Sequence, residues 1–275
     1  MKTIIIPIDF SATSNNVLKY AAAFACDHAV EKVILLNTFY VSIYEQILPS
    51  VDFIQRSDEE IETERKQQEI QLEVYKTQLA EGCNFQVEVE KSDEPLLRAI
   101  HASVSKHEPD LVMVGSDAAA EETYIGEMVI EITKSLPVPV LIVPSNSMYQ
   151  KIIHALVGCD FRSLEGIGLL KHLQGPSTWL HARLSVVNVN PDHASLPRKQ
   201  DYEMELARLL ECYPYEVFNI EDRNIVRGIL DFANEYDVQL IVALPKKHSF
   251  FYTLTNASIS QALALNATKP VLILK

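Results

Sequence analysis

No run of about 18 apolar residues occurs in the sequence, which excludes a hydrophobic helix able to span a bilayer. The opening MKTIIIPIDFSATS holds one lysine and a short apolar burst interrupted by Pro7, too brief for the core of a signal peptide. The expected location is the cytoplasm, off the membrane. Cysteine is scarce: Cys26, Cys83, Cys159 and Cys212 lie far apart with no CxxC, a spacing that predicts reduced, mostly buried thiols rather than a disulfide frame or a zinc site. Positive charge is in deficit, with 24 Lys and Arg against 37 Asp and Glu, a net charge of −13 and a pI near 5.1. Long-range attraction to DNA, RNA or an anionic membrane is therefore disfavoured, and basic residues do not interleave with aromatics as on a single-strand binding surface. Nucleic acid is not an expected partner. Also missing are GxSxG, HExxH, GxxxxGK[ST] and GxGxxG, and the eight histidines form no i,i+4 ligand pair, so hydrolase, zinc-protease, P-loop and dinucleotide chemistries lack their parts.

What is present is a chain of 275 residues, 48% hydrophobic and 22% charged, long enough for two ordinary globular domains. Short apolar runs bounded by polar turns predict strands: TIIIPID at 3–9, KVILLNT at 32–38, FQVEVE at 85–90, LVMVG at 111–115 and VPVLIV at 138–143. The order then restarts with HALVGCD at 154–160, ARLSVVNV at 182–189, YEVFNI at 215–220, QLIVAL at 239–244 and KPVLILK at 269–275. Helical patterns between most of these runs imply right-handed βαβ units. The predicted class is α/β: two tandem, doubly wound, five-stranded parallel-sheet domains of Rossmann-like type, residues 1–146 and 151–275, joined by SNSMYQK at 145–151. So short a join makes the copies neighbours that pack on one another.

The register supports a duplication. Arg98 and Arg227, Leu111 and Leu240, and Gly115 and Leu244 share an offset of 129 (227 − 98). Pro139 and Pro270 differ by 131 (270 − 139), so the first copy has the shorter loop before its fifth strand. Asp9 and Asp160 differ by 151 (160 − 9), which places 22 extra residues (151 − 129) in the middle of the first copy. They fall around residues 50–82, where Ser57 or Asp58 can cap a long amphipathic helix, Glu62 and Lys66 form an i,i+4 pair, and Gly82 ends it. That helix reads first as a solvated surface and second as a partner-facing one.

In a doubly wound sheet, ligands settle beyond the carboxyl ends of the strands where the winding reverses. The candidates in the first copy are Asp9 with the turn FSATSNN, the stretch NTFYV after the second strand, and the loop that opens at Gly115; in the second copy Asp160 takes the place of Asp9. Either aspartate can serve a turn or accept hydrogen bonds from a ligand. With Asp9, Gly115, Gly126 and the VPVLIVP strand in place, both halves resemble universal stress protein domains. The resemblance implies a five-stranded parallel sheet and, in nucleotide-binding members, an aspartate after strand one. It also implies a loop patterned Gly, two residues, Gly, nine residues, Gly, then Ser or Thr, with loop amides and the hydroxyl holding adenine-nucleotide phosphates.

Both loops depart from that pattern. The first copy keeps Gly115 and Gly126, but has Ala118 at the second glycine, a spacer of seven residues, and Glu127 at the hydroxyl position. A Cβ obstructs close approach of backbone N–H groups to phosphate, and a lost charged hydrogen bond costs about 1.5–3 kcal/mol. A carboxylate about 4 Å from a phosphate adds roughly 4 kcal/mol of repulsion at a dielectric near 20, unless a divalent cation bridges the two. The second copy has Leu244, Lys247 and Ala257 for the three glycines, and keeps the hydroxyl as Ser258. With Lys246 and Lys247 its loop is basic and suits an anion held by side chains.

The expected function is a regulatory or protective binding module rather than a catalyst, with nucleotide affinity lost or weak in the first half. The cofactor is left open, with ATP or AMP admitted at weak affinity. The alternatives are an ATP-binding stress protein with slow hydrolysis and a small-anion sensor using the second crevice. The two copies are expected to form an intramolecular pseudo-dimer through VPVLIVP and PVLILK, whose upstream prolines suit edge positions, and a homodimer is a further expectation.

Overall fold

The computed structural model describes residues 1–40, 57–81, 84–117, 124–162, 167–173, 179–191, 199–244, 263 and 267–275, with only the backbone of residues 124–127 and 199–201. The first half runs β1 (Thr3–Ile8), α1 (Ala12–Asp27), β2 (Lys32–Thr38), α2 (Asp58–Ala80), β3 (Gln86–Ser92), α3 (Leu96–His107), β4 (Leu111–Ser116), α4 (Tyr124–Ser135) and β5 (Val140–Pro144). The second runs β6 (His154–Gly158), a 3-10 helix (Gly168–Leu173), β7 (Arg183–Val189), α5 (Lys199–Leu209), β8 (Tyr215–Ile220), α6 (Ile225–Glu235), β9 (Leu240–Ala243) and β10 (Val271–Ile273). Each half is a parallel doubly wound sheet, as the alternation predicts.

The strands join into a single ten-stranded sheet ordered β3-β2-β1-β4-β5-β10-β9-β6-β7-β8. Among the described residues the one antiparallel pairing is at the centre, where Val271, Leu272 and Ile273 face Ile142, Leu141 and Val140. Each of these strands is the edge of its own half, and each hides its unpaired backbone against the other. The prolines fit because they precede the ladder: the carbonyls of Pro139 and Pro270 accept from Val112 and Ile241 at 3.0 and 2.9 Å, where a proline N–H would have no use.

The inner strands are nearly continuous apolar runs whose successive side chains point to opposite faces, so the sheet carries a core on each side, while the outer strands β3 and β8 are only partly buried. On one side α1 and α2 cover Ile4, Ile6, Val33, Leu35, Leu111 and Leu141, a cluster that continues through Leu272, Val242 and Val157 of the second half. On the other, α3, α4 and α6 cover Ile5, Ile34, Val112, Val140, Ile142, Val271 and Ile241. Both cores therefore cross the join. Further tying the halves, Trp179 of the second packs edge-on against Phe24 of α1 and His28, which caps that helix, at 5.0 Å each.

The repeat extends to individual bonds. Asp110 Oδ2 accepts from the amides of Lys2 and Thr3, and its counterpart Gln239 uses Oε1 on Ile153 and His154. Glu108 and Asp237, also 129 apart (237 − 108), share a left-handed backbone with φ of 44° and 47°. The halves differ at the first helix: α1 has 16 residues, whereas the described part of its counterpart is a six-residue 3-10 helix in a glycine-bearing stretch.

The inserted helix α2 starts as expected. Ser57 caps it, Glu60 completes a capping box, and Glu62 pairs with Lys66 at 3.5 Å. The expected stop, Gly82, lies outside the described residues. The cysteine expectation needs correction: Cys26 is disulfide-bonded, its partner lies outside the described residues, and Cys212 is exposed while Cys159 is buried. The absence of CxxC excludes only local pairing, and long-range approach is set by the fold. Among the described residues, no helix is long and apolar enough to cross a membrane.

Candidate functional site

The winding of the first half reverses between β1 and β4, so the crevice opens where Asp9 and Gly115 end their strands. The antiparallel join turns the second half end for end, and its crevice at Asp160 lies at the opposite rim of the sheet.

Asp9 is committed to the turn into α1. Its Oδ1 accepts from the amide of Ser11 at 3.0 Å and from the hydroxyl of Ser14 at 2.5 Å, while Ser14 Oγ accepts from the Asp9 amide at 3.3 Å. Ser11 in turn caps α1 by accepting from the Ser14 amide at 3.1 Å. These bonds hold Phe10 at a φ of 62°, a left-handed conformation that costs a non-glycine residue about 1–2 kcal/mol. Beneath the turn, the buried amide of Asn37 donates to the Ile8 carbonyl at 3.1 Å.

Gly115 has a packing task. A Cβ placed there would sit 2.3 Å from Thr13 Cγ2 and 2.9 Å from Val17 Cγ2, both on α1. The missing side chain is the room that α1 occupies against β4. Gly126 lies in the first turn of α4, and Ala118 and the side chain of Glu127 lie outside the described residues.

In the second half Asp160 accepts from the Arg162 amide at 3.0 Å and pairs with its guanidinium at 3.0 and 3.4 Å. Asn188 accepts from the Phe161 amide at 3.4 Å and donates to Asn219 at 3.2 Å. Leu244 stands where Gly115 stands in the first copy and packs partly buried against the core. Lys246, Lys247 and Ser258 lie outside the described residues. Asp9 with Gly115 and Asp160 with Leu244 are thus brought to equivalent strand ends.

Asn37, the first residue of the candidate stretch NTFYV, and Asn188, which sequence reasoning passed over, complete the picture. Asn37 and Asn188 occupy the same place on β2 and β7, 151 apart like the aspartates (188 − 37), and that shared offset was the available signal. The clearest perturbed acidities lie elsewhere. Burial pushes the Tyr20 and Tyr149 phenols up, the latter helped by its 2.5 Å bond to Asp27. Burial lowers His28, against the pull of Asp27, and lowers His154, with Arg183 adding to the effect. On Glu90 burial pulls upward, and hydrogen bonds from Ser103 and Lys106 outweigh it to keep the carboxyl low.

The comparisons with known proteins agree with this architecture. The sequence model of the Universal stress protein family matches twice, over residues 1–144 and 148–275. A universal stress protein from Archaeoglobus fulgidus superposes with a TM-score of 0.70 at 21% identity, covering 99% of this chain and 96% of that one. A putative universal stress protein from Pseudomonas aeruginosa gives a TM-score of 0.54 at 12% identity, covering 100% of this chain and 92% of the other. At these identities the two structures speak for the fold. No curated protein sequence matches the chain. Two consecutive family matches, on halves that share their strand order and the Asp110 and Gln239 contacts, make this chain a tandem member of the Universal stress protein family.

Proposed function

We propose that the protein is a stress-related regulatory or protective binding module rather than a catalyst, with residues 1–146 and 151–275 as its two domains and with nucleotide affinity lost or weak in the first. The observation that carries this reading is the state of the first crevice. Asp9 Oδ1 is taken up by Ser11 and Ser14, and the space beside Gly115 is filled by Thr13 and Val17, so a nucleotide has only Oδ2 of Asp9 to bind and little room over Gly115. The acidic substitution at Glu127 adds to this. Weak ATP or AMP binding, if retained, belongs to the second domain, where Asp160 is neutralised by Arg162 and the loop carries Lys246, Lys247 and Ser258. A small-anion sensor using that same crevice is the alternative, favoured by the same lysines.

The β5–β10 pairing makes the chain an internal pseudo-dimer and occupies both of those edges, so a homodimer would have to use another surface. Calorimetric titration of ATP with magnesium tests the reading. One site per chain, abolished by Lys247→Glu and insensitive to Asp9→Ala, supports it; loss of binding with Asp9→Ala contradicts it.

A further inference from the structure

The join between the halves forms a half-open cleft of about 350 Å³ that the nucleotide reading does not use. Tyr20 of α1, the segment 146–150 after β5, and residues 268–270 before β10 wall it, so it exists only because the halves are fused. Its volume lies within the range of about 300–1,000 Å³ usual for small-molecule sites. The wall is held in place: the Asn16 side chain donates to the carbonyls of Pro144 and Ser147 at 3.0 Å each, and Gln239 is fixed by its bonds to Ile153, His154 and Asp237.

In a chain with 37 acidic residues and 24 basic ones, the nine described residues lining this space include no carboxylate and one lysine, Lys269. The rest of its polar surface is donor-capable, from the hydroxyls of Tyr20, Ser147 and Thr268 and the amides of Asn146 and Gln150. Lys269 meets Asp237 at 3.7 Å, but that carboxylate is 84% exposed and holds the ammonium weakly. Tyr20 supplies a second, independent observation. The residue is 2% exposed, its ring packs against Phe24 and Tyr149, and its hydroxyl has no hydrogen-bond partner among the described residues. That hydroxyl is not sealed from solvent: it opens on the space it lines, where an acceptor atom of a ligand would meet it.

We propose that this cleft binds one small organic anion per chain, a carboxylate or phosphate group meeting Lys269 while an acceptor atom receives the Tyr20 hydroxyl. The binding is independent of the nucleotide crevices. Titration calorimetry on the full chain at constant ionic strength, with inorganic phosphate and with citrate as probes, tests it. The expected result is a saturable heat with one site per chain for at least one probe, and which probe binds separates a phosphoryl from a carboxylate ligand. Lys269→Met weakens that binding about tenfold, as loss of one charged contact does, and Tyr20→Phe weakens it a few-fold without unfolding the chain. Lys247→Glu leaves it in place, so this site and the proposed nucleotide site fail separately. Absence of saturable heat with both probes overturns the proposal. So does an effect of Lys269→Met without one of Tyr20→Phe, because that would mark general attraction to a surface lysine. Thermal melts establish that each variant is folded, with Lys269→Gln standing in for Lys269→Met where needed.

Discussion

Gly115, which fits the family pattern, also has a packing task. Its missing Cβ is the space that Thr13 and Val17 of α1 use against β4. Gly115→Ala should therefore destabilise the chain by about 1–3 kcal/mol in a denaturant titration, as overpacking does, and Thr13→Ala in the same chain should recover part of the loss. Imidazole burial makes a second prediction at this scale. His28 and His154 titrate below the ordinary 6.5 in the folded chain, since burial disfavours the charged ring. The unfolded chain then binds more protons as pH falls below 6.5, so stability is full above that value and is lost as pH falls through the lowered folded values. A melting temperature that drops between about pH 7 and 5, with a shallower drop in His154→Gln, is expected. The site was partly legible at this scale. Asp9 and Asp160 stood out because each follows a strand, but their partners Ser14 and Arg162 could not be assigned without the turn geometry. The disulfide at Cys26 was illegible for the same reason, since spacing along the chain does not report distance in the fold.

At the scale of elements, strands read well because a buried parallel strand is a short, nearly continuous apolar run. Their ends read less well: QLIVAL was expected over 239–244, and the strand occupies Leu240–Ala243 because Gln239 turns its side chain to the start of β6. The inserted helix was legible through its capping residues, whereas the 3-10 helix was not, since a short glycine-bearing stretch has no period to detect. The β5–β10 ladder was anticipated from its hydrophobic edges and upstream prolines. Its centre, Leu141 opposite Leu272, is at most 1% exposed. Leu272→Ala should cost about 2–5 kcal/mol in equilibrium unfolding, as deletion of a fully buried leucine does. A cost below about 1 kcal/mol would mean that the halves do not share this ladder in solution.

For the whole molecule, the two cores run continuously through both halves, so the halves should unfold together rather than in sequence. Trp179, the only tryptophan, sits on Phe24 and His28 across the join and reports that contact directly. Its fluorescence and the far-ultraviolet circular dichroism should follow one coincident denaturant transition, and separated transitions would mark independently stable domains. The same fusion turns the two crevices to opposite rims, where they have diverged: the first is acidic in its loop and internally bonded at Asp9, the second basic and arginine-paired at Asp160. The most direct measurement is amide chemical-shift mapping of the full chain during titration with ATP and magnesium. The account predicts that the amides of Ser11, Ser14 and Gly115 stay in place at millimolar nucleotide, with any saturable change confined to residues around Asp160. Saturable shifts of Ser11, Ser14 and Gly115 at micromolar ATP would contradict it.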